Sequence, residues 1–378
     1  MSNTVQTTVS VAPLFRPFPW GSSSLRNRIV MAPMTRSMSP GKVPGDEVAA
    51  YYRRRAEGGT GLIITEGTNL DHPPSTAYPD VPGFYGEAGL AGWKKVVDEV
   101  HEVGGAIIPQ LWHCGSYRQP GTEPDPTVPG MGPSAVVHPD HAEKGVAPQA
   151  MTQTDIDEAI ASYVRAAVAA RDLGFDGVEL HGAHGYLIDQ FFWERLNQRT
   201  DRYGGSLEAR LTFGVELIQA VRAAVGPDFP IVLRFSQWKL GDYACKMLPT
   251  PGELERLLLP LTAAGVDVFH ASTRRFNDAE FEGSNLNLAG WTKKITGKPT
   301  ITVGSVGLDQ DMVRALFQGE AAHPAGLDAL LERLENDEFD LVAVGRALLG
   351  DAAWANKIRD GREDEIVAFS PEQLAALN

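Results

Sequence analysis

Between residues 28 and 346 the chain repeats one unit, a short apolar run followed by an amphipathic stretch, eight times. The apolar runs are 28–35 (RIVMAPMT), 61–67 (GLIITEG), 106–113 (AIIPQLWH), 177–184 (GVELHGAH), 230–236 (PIVLRFS), 266–272 (VDVFHAS), 300–307 (TITVGSVG) and 340–346 (DLVAVGR). Helix-period segments lie between them at 46–58, 89–104, 155–174, 206–226 and 251–265, several opening on Ser, Thr or Asp and closing on Gly, as helix ends prefer. Strands that alternate with helices pair in parallel, and eight such units predict a closed (β/α)8 TIM barrel rather than the doubly wound open sheet that the same alternation also permits. The expected organisation is a single domain over 1–378, with barrel strands within about 28–346 and a C-terminal helix and tail over about 351–378. The Pro- and Gly-rich stretch 114–150 reads as a long loop or small hairpin inserted after the third strand, and 319–340 as surface decoration that lengthens the seventh helical region.

Composition excludes several function classes. With 34 Lys and Arg against 48 Asp and Glu, the net charge is −14 and no basic cluster exists to neutralise a phosphate backbone, so no nucleic-acid partner is expected. No stretch approaches the roughly 18–20 apolar residues of a membrane span, and the N-terminus carries neither the basic nor the apolar region of a secretion signal. The two cysteines, Cys114 and Cys245, form no framework and suit a reducing cytoplasm. A soluble cytoplasmic protein is therefore expected, as a monomer or a homodimer.

In a barrel, chemistry sits where strands end. Those ends carry Thr35, Glu66 with Gly67, Gln110 with Trp112 and His113, His181 with His184, Arg234, His270, Gly304 with Ser305, and Gly345 with Arg346. Buried ends are seldom this polar without a ligand. One reading is a metal-dependent hydrolase in which the histidines converge on zinc, but the first and eighth strands end in MAPMTR and VAVGRAL, without the expected His or carboxylate ligands. A second reading leaves the histidines satisfied in a core. Tyr186 weighs against that, because a phenol beside two imidazoles can protonate a carbanion whose carbonyl the imidazoles polarise. The glycines and Arg346 at strands seven and eight fall where barrels commonly bind phosphate, and the amide, hydroxyl and guanidinium on other strands match the edges of a flavin mononucleotide.

The segment 181–210, HGAHGYLIDQFFWERLNQRTDRYGGSLEAR, closely resembles the signature of the old yellow enzyme family of FMN-dependent ene-reductases. RNRIVMAPMTR (26–36), ITEGT (64–68), PQLWHCG (109–115), LRFS (233–236), VGSVG (303–307) and AVGRALLGD (343–351) extend the resemblance, in order, over nearly the whole chain. It implies non-covalent FMN held by Pro33 and Met34 along the ring, Thr35 at flavin O4, Gly67 beside it, Gln110 at the pyrimidine edge, Arg234 near N1, and Gly304, Ser305, Gly345 and Arg346 on the phosphate. His181 and His184 would hold a substrate carbonyl or nitro group, His181 also touching the flavin, with Trp112 and Met34 shaping the pocket and Tyr186 delivering a proton. The implied reaction uses NAD(P)H to reduce FMN and then transfers hydride to the β-carbon of an activated alkene or nitroalkene, with nitro compounds and nitrate esters as further acceptors. His184 stands where some members have Asn, and Ala209 where many have Asn. The C-terminal stretch lacks the tyrosine that some members place over the site, leaving Phe369 as its substitute. The cysteines and length of the iron–sulfur dienoyl-reductase class are absent.

Overall fold

The computed structural model describes residues 9–143, 145–310 and 322–378. Eight strands form the closed barrel: β1 (Ile29–Met31), β2 (Leu62–Asn69), β3 (Ala106–Trp112), β4 (Val178–His184), β5 (Ile231–Lys239), β6 (Val268–Ser272), β7 (Thr300–Val303) and β8 (Leu341–Val344). Each pairs in parallel with the next, and β8 returns to β1 through Val342↔Ile29, Ala343↔Val30 and Val344↔Met31. The expected barrel is therefore the observed one.

Side-chain alternation sorts each strand into an outward set packed on the helices and an inward set filling the barrel. Inward residues near the strand starts are apolar: Val30, Leu62, Ile64, Ile108, Val232, Val268, Ile301 and Leu341 share one buried cluster. One pleat further along, the inward positions turn polar, with Gln110 after Ile108, Arg234 after Val232 and His270 after Val268, all buried. The same parity puts Glu179 and His181 on the inner wall.

Four differences from the sequence reading have physical causes. β1 ends at Met31 rather than 35, because Ala32 N–H still donates to Val344 O (2.9 Å) but Pro33 has no N–H to continue the ladder. β7 ends at Val303 where Gly304 and Ser305 turn to φ 136° and 52°. The stretch 114–150 contributes two-residue strands, Met131–Gly132 and Gln149–Ala150, that pair in parallel, so it is not a hairpin. Helix Asp328–Glu335 buries Leu330, Leu331 and Leu334 in the main core and is a barrel helix, not decoration. Residues 311–321, part of which falls in that insertion, lie outside the described residues.

Helix boundaries follow capping chemistry. Gln153–Leu173 starts on a Thr152–Asp155 capping box and stops at left-handed Gly174, and Pro251–Ala264 starts on the Thr250–Glu253 box. An antiparallel hairpin, Phe18–Trp20 with Ser23–Leu25, precedes the barrel and has no counterpart in the sequence reading. Its Phe18, Trp20 and Leu25 join the inner apolar cluster, and Trp20 Nε1–H donates to Asp176 O (2.7 Å) just before β4, so the hairpin seals the N-terminal end of the barrel. Among the described residues no helix is long and apolar enough to cross a membrane.

Candidate active site

At the opposite end lies a cavity of about 790 Å³. Its wall includes Pro33, Met34, Thr35, Gln110, Trp112, His181, His184, Tyr186, Arg234, Gly304, Ser305, Gly345 and Arg346, which is every expected site residue but one. The exception is Gly67. It lies under the Trp112 indole, where a Cβ would stand 2.3 Å from Trp112 Cε3. Its lack of a side chain makes room for that indole, which itself lines the cavity.

β4 ends in an irregular stretch that aims the central group. Its register with β5 shifts between Gly182 and His184, and His184 adopts φ 65°, the left-handed region that Asn, Asp and His enter most readily after Gly. Behind this turn a buried ion pair joins Lys239 Nζ to Asp189 Oδ1 at 2.7 Å. Asp189 Oδ2 accepts from Gly185 N–H (2.8 Å), and Gln190 Nε2–H donates to Gly185 O (2.7 Å). Gly185, between His184 and Tyr186, is thus clamped from both sides by the DQ of the sequence motif.

The rings of His181, His184 and Tyr186 converge: His181 is 5.1 Å from His184 and 5.0 Å from Tyr186, centroid to centroid. Trp112 meets Tyr186 edge-on at 4.9 Å, and Trp238 stacks on His184 at 4.3 Å. Burial, reinforced by the Arg234 charge, holds both imidazoles well below their ordinary pKa, so each is neutral with one N–H to donate. Burial also raises the Tyr186 phenol, which keeps its proton. Arg234 Nη2–H donates to Ser272 Oγ (3.4 Å), and that hydroxyl in turn meets His184 Nε2 at 2.8 Å.

Below this layer Gln110 Nε2–H donates to Glu179 Oε1 (2.8 Å), and the other carboxylate oxygen accepts from His270 Nδ1–H (2.7 Å), all three side chains buried. His270 therefore serves the interior. His113 does too, its Nε2 lying 2.9 Å from His72 Nδ1. Among the described residues no three His, Cys, Asp or Glu side chains come together as metal ligands.

Several polar atoms of the wall are buried without a protein partner: His181 Nδ1, Arg234 Nε and Trp112 Nε1. Such atoms are costly unless a ligand satisfies them. Gly345 keeps space open beside Met34, whose Sδ a Cβ would meet at 3.5 Å, and Arg346 Nη2–H reaches Ser305 Oγ at 3.4 Å across the β7 and β8 ends. Buried donors on one side and a glycine and arginine corner on the other fit a flat heterocycle carrying a phosphate.

Sequence reasoning missed Tyr78, Tyr117, Trp238, Ser272 and Arg274, all on the cavity wall; Phe369, expected there only as a substitute for an absent tyrosine, lines it as well. Tyr78 Oη lies 2.9 Å from Tyr186 Oη.

A parallel barrel with this donor set at its strand ends has the makings of a flavin site. Residues 13–323 match the NADH:flavin oxidoreductase / NADH oxidase family, and the chain belongs to it, within the old yellow enzyme group. It is 35% identical over 358 residues to an NADH oxidase of Thermoanaerobacter brockii, covering 92% of this chain and 50% of that protein. It is 41% identical over 225 residues to 12-oxophytodienoate reductase 7 of Oryza sativa subsp. japonica, covering 57% of each. The chain thus spans about half the length of the curated relatives it matches. Among solved structures, morphinone reductase in complex with tetrahydroNAD superposes with TM-score 0.78 at 30% identity, covering 96% of this chain and 93% of that one. An old yellow enzyme from a Pichia species superposes with TM-score 0.79 at 28% identity, covering 96% and 90%. FMN is the cofactor of this family, with NAD(P)H as reductant.

Proposed function

We propose that the protein reduces the C=C bond of activated alkenes, α,β-unsaturated carbonyls and nitroalkenes, with nitro compounds and nitrate esters as further acceptors. The observation that carries this reading is the convergence of two neutral imidazoles and one protonated phenol in a single buried cavity. Bound FMN, reduced by NAD(P)H, supplies the hydride that such a reaction needs.

Gln110, fixed by Glu179, and Arg234 would hold the pyrimidine edge, Pro33, Met34 and Thr35 the ring, and Gly304, Ser305, Gly345 and Arg346 the phosphate. His181 and His184 donate N–H groups to the carbonyl or nitro oxygen and stabilise the charge that develops there. Tyr186 Oη–H gives its proton to the α-carbon. Trp112 and Trp238 bracket the reacting group and exclude water.

The test is anaerobic. The purified yellow protein should be bleached by NADH or NADPH and recoloured by an enone. The His181→Ala, His184→Ala double variant should retain FMN yet lose enone binding, and Tyr186→Phe should slow recolouring by about 10²-fold while leaving bleaching intact. Equal slowing of both half-reactions in Tyr186→Phe would overturn these roles.

A further inference from the structure

A nicotinamide dinucleotide that places its dihydropyridine ring in the cavity still carries an anionic half, an adenosine joined through a diphosphate, for which the reacting centre has no use. We infer that this half is held in a second pocket beside the cavity mouth, with Arg274, Arg275 and Lys246 taking the diphosphate and Trp238 and Tyr243 walling the nucleoside. The inference rests on the proposed reading that the reductant enters the cavity at His181 and His184.

The second pocket, of about 330 Å³, is formed by the C-terminal ends of β5 and β6 and the loops that follow them. It is contiguous with the main cavity, because Trp238, Tyr243, Ser272, Thr273 and Arg274 line both. A row of rings leads from one to the other. Trp238 stacks on His184 at 4.3 Å, and Tyr243 stacks on Trp238 with centroids 5.8 Å apart and planes within 24°. The Arg274 guanidinium lies over the outer ring, 6.0 Å from the Tyr243 centroid. Trp238 Nε1–H donates to Ser272 O (3.2 Å), which ties the β5 end to the β6 end.

The arginine pair is fixed in place. Phe276, the next residue, is buried in the main core, and its N–H donates to Gly304 O at 3.0 Å. Ser305 Oγ–H donates to Arg274 O, also at 3.0 Å. A Cβ on Gly304 would stand 2.8 Å from Arg275 N, so only a glycine lets this loop sit so close to the β7 end. Charge runs against the composition here: in a chain of net charge −14, three cations gather round one concavity. Its two carboxylates offset them only in part. Glu280 is buried, accepts from Gln237 Nε2–H (3.2 Å) and has its acidity weakened by that burial, while Lys246 Nζ–H donates to its backbone oxygen at 2.6 Å. Asp278 stands 3.8 Å from Arg275, too far for a hydrogen bond. Guanidinium forks beside aromatic faces suit a nucleoside diphosphate, and a neutral enone has no charge for them to meet.

The experiment bleaches FMN-loaded enzyme anaerobically with NADH and with 1-benzyl-1,4-dihydronicotinamide, which has the same hydride-donating ring and no phosphate. Wild type should half-saturate with NADH at a concentration lower by about tenfold or more, and ADP should compete with NADH while leaving bleaching by the benzyl compound unchanged. Arg275 and Lys246 lie on the second pocket and off the cavity wall, so the Arg275→Gln, Lys246→Gln double variant isolates it. Its half-saturation for NADH should rise about tenfold, with the limiting rate and all benzyl-compound kinetics unchanged. Added salt should weaken NADH binding in wild type more than in the variant. Wild-type half-saturation for NADH in the double variant overturns the assignment, as does an equal rise for both reductants. If the double variant misfolds, ADP decides on wild type alone, where failure to compete with NADH overturns the pocket. A wild-type enzyme that neither reductant bleaches refutes instead the reading on which the inference rests.

Discussion

Gly67→Ala introduces one methyl group and tests how tightly the site is preorganised. The added Cβ would stand 2.3 Å from Trp112 Cε3, 2.8 Å from Cδ2 and 3.0 Å from Cζ3. Carbon atoms rest at about 3.5–4.0 Å, so the indole must retreat by about 1.2 Å or the β2–β3 pairing, which joins Gly67 to Gln110, must open. The indole has little room. Tyr186 meets it at 4.9 Å, Tyr78 stacks on it at 5.2 Å and His181 lies at 5.9 Å, so its shift is passed to the proposed proton donor. Overpacking of this kind costs about 1–3 kcal/mol of stability, and an ångström of misplacement near reacting groups costs on the order of 10²-fold in rate. Thermal unfolding should therefore show a modest loss, and alkene-dependent recolouring of reduced enzyme a large one, with FMN content little changed. Wild-type recolouring in a folded Gly67→Ala protein would refute the argument that Trp112 transmits position to Tyr186.

Other outcomes follow from the same geometry. Because burial holds His181 and His184 below, and Tyr186 above, their ordinary pKa values, kcat/KM should be flat between about pH 6.5 and 9.5; a limb near 6.5 that vanishes in His181→Asn would contradict neutral imidazoles. Burial lifts Glu66 to about 7, so the native state holds a proton that the unfolded chain releases. Its contribution is complete below the ordinary value of 4.5 and is lost as pH rises through about 7, about 3 kcal/mol in all; urea midpoints of wild type and Glu66→Gln should separate between about 4.5 and 7 and keep a constant gap above that. Lys239→Met strands Asp189 in the interior and should cost about 3–5 kcal/mol by denaturant titration, whereas the paired Lys239→Met, Asp189→Leu change should recover part of it. Glu179→Leu frees the Gln110 amide to rotate and removes the partner of His270 Nδ1, so FMN should dissociate more readily, measured as flavin released on dilution.

Much of the barrel was legible because periodicity and strand ends are local properties. Ile108, Gln110 and Trp112 share one face by simple alternation, and the same parity selects Glu179 with His181. What escaped is what depends on folding back. The hairpin strands Phe18–Trp20 and Ser23–Leu25 are three residues each, too short for a period to register. Tyr78 and Tyr117 sit in loops, where no repeat says which way a side chain points, and each reaches Tyr186 only once β2, β3 and β4 are adjacent. Gly67 is placed beside the flavin by the family resemblance alone; that its missing side chain also makes room for the Trp112 indole depends on the folded pairing of β2 with β3. The identity of residue 184, by contrast, gains a backbone explanation: at φ 65° an imidazole or an amide is tolerated where a β-branched side chain would be strained.

The N-terminal hairpin bears on kinetics in a way its remoteness conceals. Phe18, Trp20 and Leu25 close over an interior that Val30, Leu62, Ile108 and their neighbours already fill, so the cavity is reached from the strand-end face. Under the proposed function, a spent reductant and an incoming acceptor would share this cavity, each waiting for the other to leave. Double-reciprocal plots should run parallel, and an excess of either reactant should slow the enzyme by occupying the doorway.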